Sequence, residues 1–268
     1  MIKIEGVHKS FGSLKVLEGV DLEIPTGENL VILGRSGSGK SVLLKHIIGL
    51  LSPDAGRVLV DETEVGSLGY NELAKLRRRF GMLFQMAALF DSMTVGENVG
   101  LALRERGGMK EVDIKEIVRE KLAMVGLKGI EDKAPSDLSG GMRKRVGLAR
   151  AIAMDPEYIL YDEPTTGLDP VTAQQINVLI RSLQERLNIT SIVVTHDMAS
   201  ANYVGDRMCL LYKGSILFDG TPEDIANSKD PVVYQFIRGE AQGPLTDGTA
   251  DIEVHTPDPV GQEARHGE

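Results

Sequence analysis

Cysteine is nearly absent, since Cys209 stands alone among 268 residues. A single thiol excludes a disulfide or a cysteine-built zinc site within one chain, and a reducing compartment fits. Its neighbours, Met208-Cys209-Leu210-Leu211, form an apolar strand-like run in which the thiol reads as packed core. An excess of positive charge is also missing: 30 Lys and Arg against 39 Asp and Glu leave a net charge of −9. That balance argues against a protein that grips nucleic acid over a broad face. Two local basic runs remain, Arg77-Arg78-Arg79 and Arg143-Lys144-Arg145, and the first reads as a solvated helix face. No apolar run is long enough to span a bilayer and no secretory leader is visible, so any membrane role is expected to come through a partner. No internal repeat shows.

What is present is ordinary for a globular chain, with 42% hydrophobic and 26% charged residues and length enough for one substantial core, with room for a subdomain. One stretch departs from the ordinary. Gly34-Arg35-Ser36-Gly37-Ser38-Gly39-Lys40-Ser41 is a complete G-x-x-x-x-G-K-[ST] loop. Its glycines let the backbone approach an anion without a Cβ clash, so that successive N–H groups can wrap phosphate oxygens. Lys40 would reach the terminal phosphates and Ser41 would ligate Mg²⁺. A chance match in a chain of this length is on the order of a few per cent. The flanks lower that further: Asn29-Leu30-Val31-Ile32-Leu33 suits a buried parallel strand, and Val42 to Ile48 carries helical apolar spacing.

Around this loop the pattern is α/β. Ile2-Lys3-Ile4 and Val16 to Ile24 read as antiparallel sheet, and Gly56 to Asp61 as a further strand closed by a polar turn. From about Ala87 to Asp155 the pattern is mainly helical, with an amphipathic repeat over Val112 to Val125. Apolar strands return at Tyr158 to Tyr161 and Ser191 to Thr195. From Glu240 the chain is rich in Gly, Pro and acid and cannot bury enough surface to fold alone.

Tyr158-Ile159-Leu160-Tyr161-Asp162-Glu163 is an apolar strand ending in two carboxylates. Asp162 is placed to hold the hydration shell of Mg²⁺. Glu163 would face the opposite way unless the chain turns, and Pro164 suggests that it does, bringing Glu163 toward the γ-phosphate to orient or deprotonate water. Acids at strand ends are common, and only the upstream loop makes this pair informative. Ser139-Gly140-Gly141 begins another helix, which by itself would read as a plain N-cap.

Taken together, these elements resemble the ATPase subunits of ATP-binding cassette (ABC) transporters over about residues 1–239. The resemblance implies an α/β P-loop NTPase with a RecA-like core (1–86 and 156–222), an N-terminal antiparallel β subdomain and an inserted helical subdomain (about 87–155). Residues 240–268 would form an acidic tail, read as a docking arm. It implies ATP and Mg²⁺ as cofactors. Gly34, Arg35, Ser36, Gly37, Ser38, Gly39, Lys40 and Ser41 would bind nucleotide. Phe11 would stack on adenine, although an isolated Phe in a strand would otherwise be core. Gln85 would sense Mg²⁺ and the partner, and Leu138 to Met142 would be the signature, with Ser139, Gly140 and Gly141 on phosphate. Asp169 belongs to the D-loop, and His196 is the switch histidine. Glu163, His196, Lys40 and Gln85 would be catalytic, and Ser41, Gln85 and Asp162 would serve the metal. Met142 stands where Gln is commonest. With the segment from Gly81 to Val95, that departure resembles the ATPases of Mla/Mce-type lipid transporters, whose Met and Phe side chains can line a groove for a partner's helix. The implied assembly is a head-to-tail dimer on integral membrane permease subunits, with Mce-domain and small accessory subunits, at the cytoplasmic face of the inner membrane. An ATPase of a solute importer is the alternative, and a soluble ABC ATPase acting on DNA or ribosomes a more distant one.

Overall fold

The computed structural model describes residues 1–246, and the greater part of the acidic tail, with its expected docking role, lies outside the described residues. In chain order the elements are β1 (Ile2–Phe11), β2 (Leu14–Ile24), β3 (Asn29–Leu33), α1 (Lys40–Ile47), β4 (Ala55–Val60), β5 (Thr63–Glu64), α2 (Tyr70–Arg77), β6 (Phe80–Leu83), α3 (Val95–Arg106), α4 (Glu111–Met124), α5 (Gly140–Ala151), β7 (Tyr158–Asp162), α6 (Pro170–Leu187), β8 (Thr190–Thr195), α7 (Met198–Val204), β9 (Arg207–Tyr212), β10 (Ser215–Gly220), α8 (Pro222–Ala226) and α9 (Pro231–Arg238).

Two sheets organise them. An antiparallel sheet runs β2-β1-β4-β5, and a six-stranded sheet runs β10-β9-β3-β8-β7-β6. Within the second, β9, β3, β8, β7 and β6 pair in parallel and only β10 is antiparallel. Strands buried on both faces read as continuous apolar runs, which is why β3, β7 and β8 stood out in the sequence. Alternation along them divides two cores. Leu30, Ile32, Leu160, Ile192, Val194 and Cys209 point toward α1 and the antiparallel sheet, whose Ile2, Ile4 and Val20 close that layer. Val31, Leu33, Ile159, Tyr161 and Val193 point the other way, against residues of α3 to α7. Cys209 is fully buried in the first of these cores, and burial pushes its thiol pKa up.

The expected helix after the loop begins at Lys40, two residues earlier than its apolar spacing suggested, and the strand expected at Gly56 begins at Ala55. Asp61 and Glu62 make the turn that follows, both at positive φ. The reading of Arg77-Arg78-Arg79 as a solvated helix face is corrected. Arg77 donates to the carbonyls of Ile48 (2.9 Å) and Gly49 (2.7 Å), which closes the end of α1. Arg79 bridges Asp61 and Glu157, joining the antiparallel sheet to the start of β7. The Met1 ammonium and the Tyr158 hydroxyl complete that cluster around Asp61. Basic residues adjacent in sequence therefore close a helix and tie the two sheets together, which their composition did not reveal.

Candidate nucleotide site

All parallel strands of the large sheet point their carboxyl ends to one edge, and the candidate site is built there. After Leu33 the chain leaves the sheet in a loop that tolerates no added carbon at Gly34, where a Cβ would lie 2.6 Å from Ser38 Oγ and 2.7 Å from the Leu211 carbonyl. Gly37 and Gly39 take φ of +81° and +103°, the region that favours glycine. Gly39 then opens α1 with no side-chain cap and no acid in the first turn. The first amides of a helix have no intrahelical acceptor, and the dipole makes that end positive. Ser38 Oγ is buried and has no hydrogen-bond partner among the described residues. A cradle of amides, an unpartnered hydroxyl and room only for glycine fits a phosphate chain.

The ends of β7 and β8 converge on the loop. Lys40 is buried, its Nζ donating to the carbonyls of Gly34 (2.7 Å) and Arg35 (3.1 Å) and lying 3.4 Å from Glu163 Oε1. Burial lowers its pKa, partly offset by Glu163. Ser41 Oγ donates to Asp162 Oδ1 at 2.8 Å. Asp162 ends β7, and the expected turn does follow, though Glu163 makes it itself: its φ is +49°, and its amide still donates to the Val194 carbonyl at 2.9 Å. The left-handed step swings the Glu163 side chain to the same side as Asp162, toward the loop. There it accepts from Thr166 Oγ1 and Thr195 Oγ1, both at 3.3 Å, and from His196 Nδ1 at 3.0 Å. With a carboxylate as acceptor, Nδ1 carries the proton and Nε2 is the free ring nitrogen. Lys40, Ser41, Asp162, Glu163 and His196 are thus joined by direct contacts.

Gln85 sits in the turn after β6, whose Leu83 is paired with Tyr161 of β7, so the turn lies beside the two carboxylates. Three buried or partly buried side chains that sequence reasoning missed hold this turn and the one that follows it, at residues 90–94. Lys144 donates to the carbonyls of Gln85 and Glu163. Arg150 donates to the carbonyls of Ala87 and Ala88, both at 2.6 Å. Asn98, fully buried, exchanges hydrogen bonds with the Phe90 backbone and also donates to the carbonyls of Met93 and Thr94. Burial brings the Lys144 pKa down to about 8, against the pull of Glu163 and Asp162. The only sequence signal for them was a basic run and a polar residue inside a helical pattern. Beside Gln85, Phe84, Met86 and Phe90 are exposed.

Other expected residues stand further out. Phe11 ends β1, is half exposed, and has Lys9 Nζ 5.7 Å from its ring centre. The adjoining β2 underlies the loop, since a Cβ on Gly39 would touch Val16 and Leu17. Arg35 turns outward to the Leu245 carbonyl, and Ser36 and Gly37 line a small hollow with Phe236 and Leu245. Ser139 caps α5 by accepting from the Met142 amide at 3.3 Å. Gly140 and Gly141 face Leu168 and Thr172. Asp169 caps α6, accepting from the amides of Val171 and Thr172. Ser139, Gly140, Gly141 and Asp169 make their own hydrogen bonds and packing contacts within α5 and α6, and none of those partners is among residues 34–41. Nor do three His, Cys, Asp or Glu side chains gather there to hold a metal unaided. A cation at Ser41 and Asp162 would therefore share its coordination with phosphate oxygens and water, which suits Mg²⁺.

The family model described as "ABC transporter" matches residues 17–166, more than half of the chain. The chain belongs to the ABC transporter family. It is accordingly an ATPase with a phosphate-loop, RecA-like core, an N-terminal antiparallel sheet and an inserted helical region. Among curated relatives, the probable ribonucleotide transport ATP-binding protein mkl of Mycobacterium leprae is 46% identical over 91% of this chain and 70% of its own length. The intermembrane phospholipid transport system ATP-binding protein MlaF of Haemophilus influenzae is 40% identical over 91% of this chain and 93% of its own length. A solved dimeric ATP-binding cassette in a post-hydrolysis state, bound to ADP and Pi, superposes with a TM-score of 0.76 at 36% identity, covering 83% of this chain and 99% of that one.

Proposed function

We propose that this ABC transporter ATPase drives movement of phospholipid or another lipid through a separate membrane permease. The observation that carries the reading is the near full-length match to a phospholipid-transport ATPase, joined to Met142 in the signature. The exposed Phe84, Met86 and Phe90 beside Gln85 offer an apolar seat for a permease helix. Among the described residues no helix is long and apolar enough to cross a membrane, so attachment at the cytoplasmic face of the inner membrane would run through that permease. Mce-domain and small accessory subunits would complete the assembly. Residues 1–239 form the cassette in this reading, and 240–268 its tail.

ATP would lie between residues 34–41 of one copy and Ser139-Gly140-Gly141 of a second, arranged head to tail, with Asp169 lining the seam. Within one chain the signature end of α5 is separate from the loop, and the related cassette bound to ADP and Pi is dimeric. Phe11 would offer its exposed ring to adenine. Lys40 would exchange Glu163 for β- and γ-phosphate oxygens. Ser41, Asp162 and Gln85 would hold Mg²⁺, which when bound neutralises charge on the phosphates. Glu163 accepts a proton from water as that oxygen bonds to the γ-phosphorus and the bond to ADP breaks. His196 steadies the Glu163 carboxylate and presents Nε2 to the transferred phosphoryl group. Attraction of that group from both chains closes the dimer, and its loss reopens it.

A solute-transport reading is favoured by the name of the mycobacterial relative. Affinity purification of the tagged chain from detergent-solubilised membranes decides between them. A polytopic membrane protein with bound phospholipid supports lipid traffic. A solute-binding partner without lipid favours the solute reading, and recovery with ribosomes or DNA alone sinks both.

A further inference from the structure

We propose that Lys144 is a positioning residue for ATP hydrolysis: its buried ammonium ties the Glu163 carbonyl to the Gln85 carbonyl and so fixes the base against the metal-side turn. This rests on the reading of Glu163 as the base. A non-glycine residue in the left-handed region is strained and persists only where its surroundings over-determine it. Glu163 is such a residue, at φ +49°. Its amide is held by Val194 and its carboxylate by Lys40, Thr166, Thr195 and His196. The same backbone turn takes its carbonyl out of the β-ladder, where Asp162 with Val194 is the last pair. Lys144 Nζ, at 3.2 Å, supplies the donor that the ladder no longer does.

The other end of the tie is as specific. Gln85 begins a turn in which Ala87 and Ala88 are also left-handed, at φ +60° and +47°. Arg150 takes both of their carbonyls, less than two turns along α5 from Lys144. Between the two cations, Gly147 allows contact: a Cβ there would lie 2.7 Å from Leu83 and 3.2 Å from Ala87 Cβ. On β6, a Cβ at Gly81 would lie 2.3 Å from the Ala151 carbonyl. One helix therefore seats directly on β6 and pins three left-handed carbonyls with two side chains. Lys144 is only 4% exposed, a position in which an ammonium is retained where it has partners. Two neutral carbonyls together with the nearby Asp162 and Glu163 carboxylates provide them. The base, the Gln85 turn and the helix that begins at Ser139 are thereby one mechanical unit.

The test uses the full chain in its purified membrane complex, with Lys144→Met, Lys144→Gln and Lys144→Arg. Steady-state kinetics for ATP are read alongside hydrogen exchange of the amides of residues 84–90. Lys144→Met is expected to lower kcat on the order of 20-fold with KM within about threefold, since the loss is one of base placement rather than of binding. Exchange over residues 84–90 should rise about tenfold as the turn loosens. Lys144→Arg should restore kcat to within about threefold of wild type, with Lys144→Gln well below it, because only Arg keeps a charged donor. A folded Lys144→Met with near wild-type kcat, or with unchanged exchange at 84–90, overturns the proposal. Should that variant not fold, equal kcat for the Arg and Gln variants overturns it instead. Glu163→Gln is the control: continued turnover there defeats the base reading itself, whereas an inactive Glu163→Gln beside an active Lys144→Met defeats only the tie.

Discussion

Two glycine-rich helix starts, at α1 and α5, use the same residues to different ends. At α1, Gly39 is left-handed, no side chain caps the first turn, and the neighbouring Ser38 hydroxyl is buried without a partner. At α5, Ser139 caps the Met142 amide, and Gly141 is small so that the helix can meet Thr172. The first is a cradle that keeps a buried hydroxyl unspent, and Lys40, Asp162, Glu163 and His196 complete it within one chain. The second spends its hydroxyl locally and has no catalytic group of its own beside it. A glycine-rich helix start is thus a complete site only where strand ends bring the remaining chemistry to it.

The largest break in this comparison is expected from Lys40→Ala. It removes the ammonium that contacts both the loop carbonyls and Glu163, and ATP hydrolysis should fall by at least about 10³-fold with weaker nucleotide binding, read by initial rates and titration. Substituting Ala for one glycine in each helix start separates the two roles. Gly39→Ala puts a Cβ at φ +103° within 3.0 Å of Val16, so nucleotide affinity should drop by about 1–3 kcal/mol. Gly141→Ala would press on Thr172 at 2.6 Å, and should lower kcat and ATP-dependent dimerisation while leaving nucleotide binding by the separate chain near wild type. Equal loss of nucleotide binding in both would erase the distinction. Ser139→Ala removes the α5 cap, expected to cost about 1 kcal/mol of stability in thermal unfolding, and should also slow turnover at saturating ATP.

The smallest expected effect lies away from both helix starts and serves as a reference. Burial would raise the Asp61 pKa, but hydrogen bonds from the Met1 ammonium, Arg79 and Tyr158 outweigh it and bring it from 3.8 to about 2. A depressed carboxylate stabilises the fold above its unfolded value and loses that contribution as pH falls through its folded one. Asp61→Asn should therefore flatten the acid limb of the stability curve between about pH 4 and 2, measured by denaturant unfolding, without changing ATP turnover at neutral pH.

The sequence by itself determined the loop from Gly34 to Ser41, the strands on either side of the acids and the order of the family's elements. These are local: glycine spacing, continuous apolar runs and a lysine-serine pair are properties of adjacent residues. Pro164 pointed to a turn after Asp162, but the turn belongs to Glu163, because Val194, Lys144 and the Thr and His partners of its carboxylate hold it there from other elements. Tertiary structure also decided that Arg77 closes α1, that Arg79 ties the sheets, and that Ala87 and Ala88 are left-handed. No glycine or asparagine marks those two alanines, and the donors that stabilise their turn come from Arg150, more than sixty positions away. The sequence could name the groups that touch phosphate, since phosphate chemistry selects residue types. It could not name Lys144, Arg150 or Asn98, since they are selected by which carbonyls the folded backbone leaves without a donor.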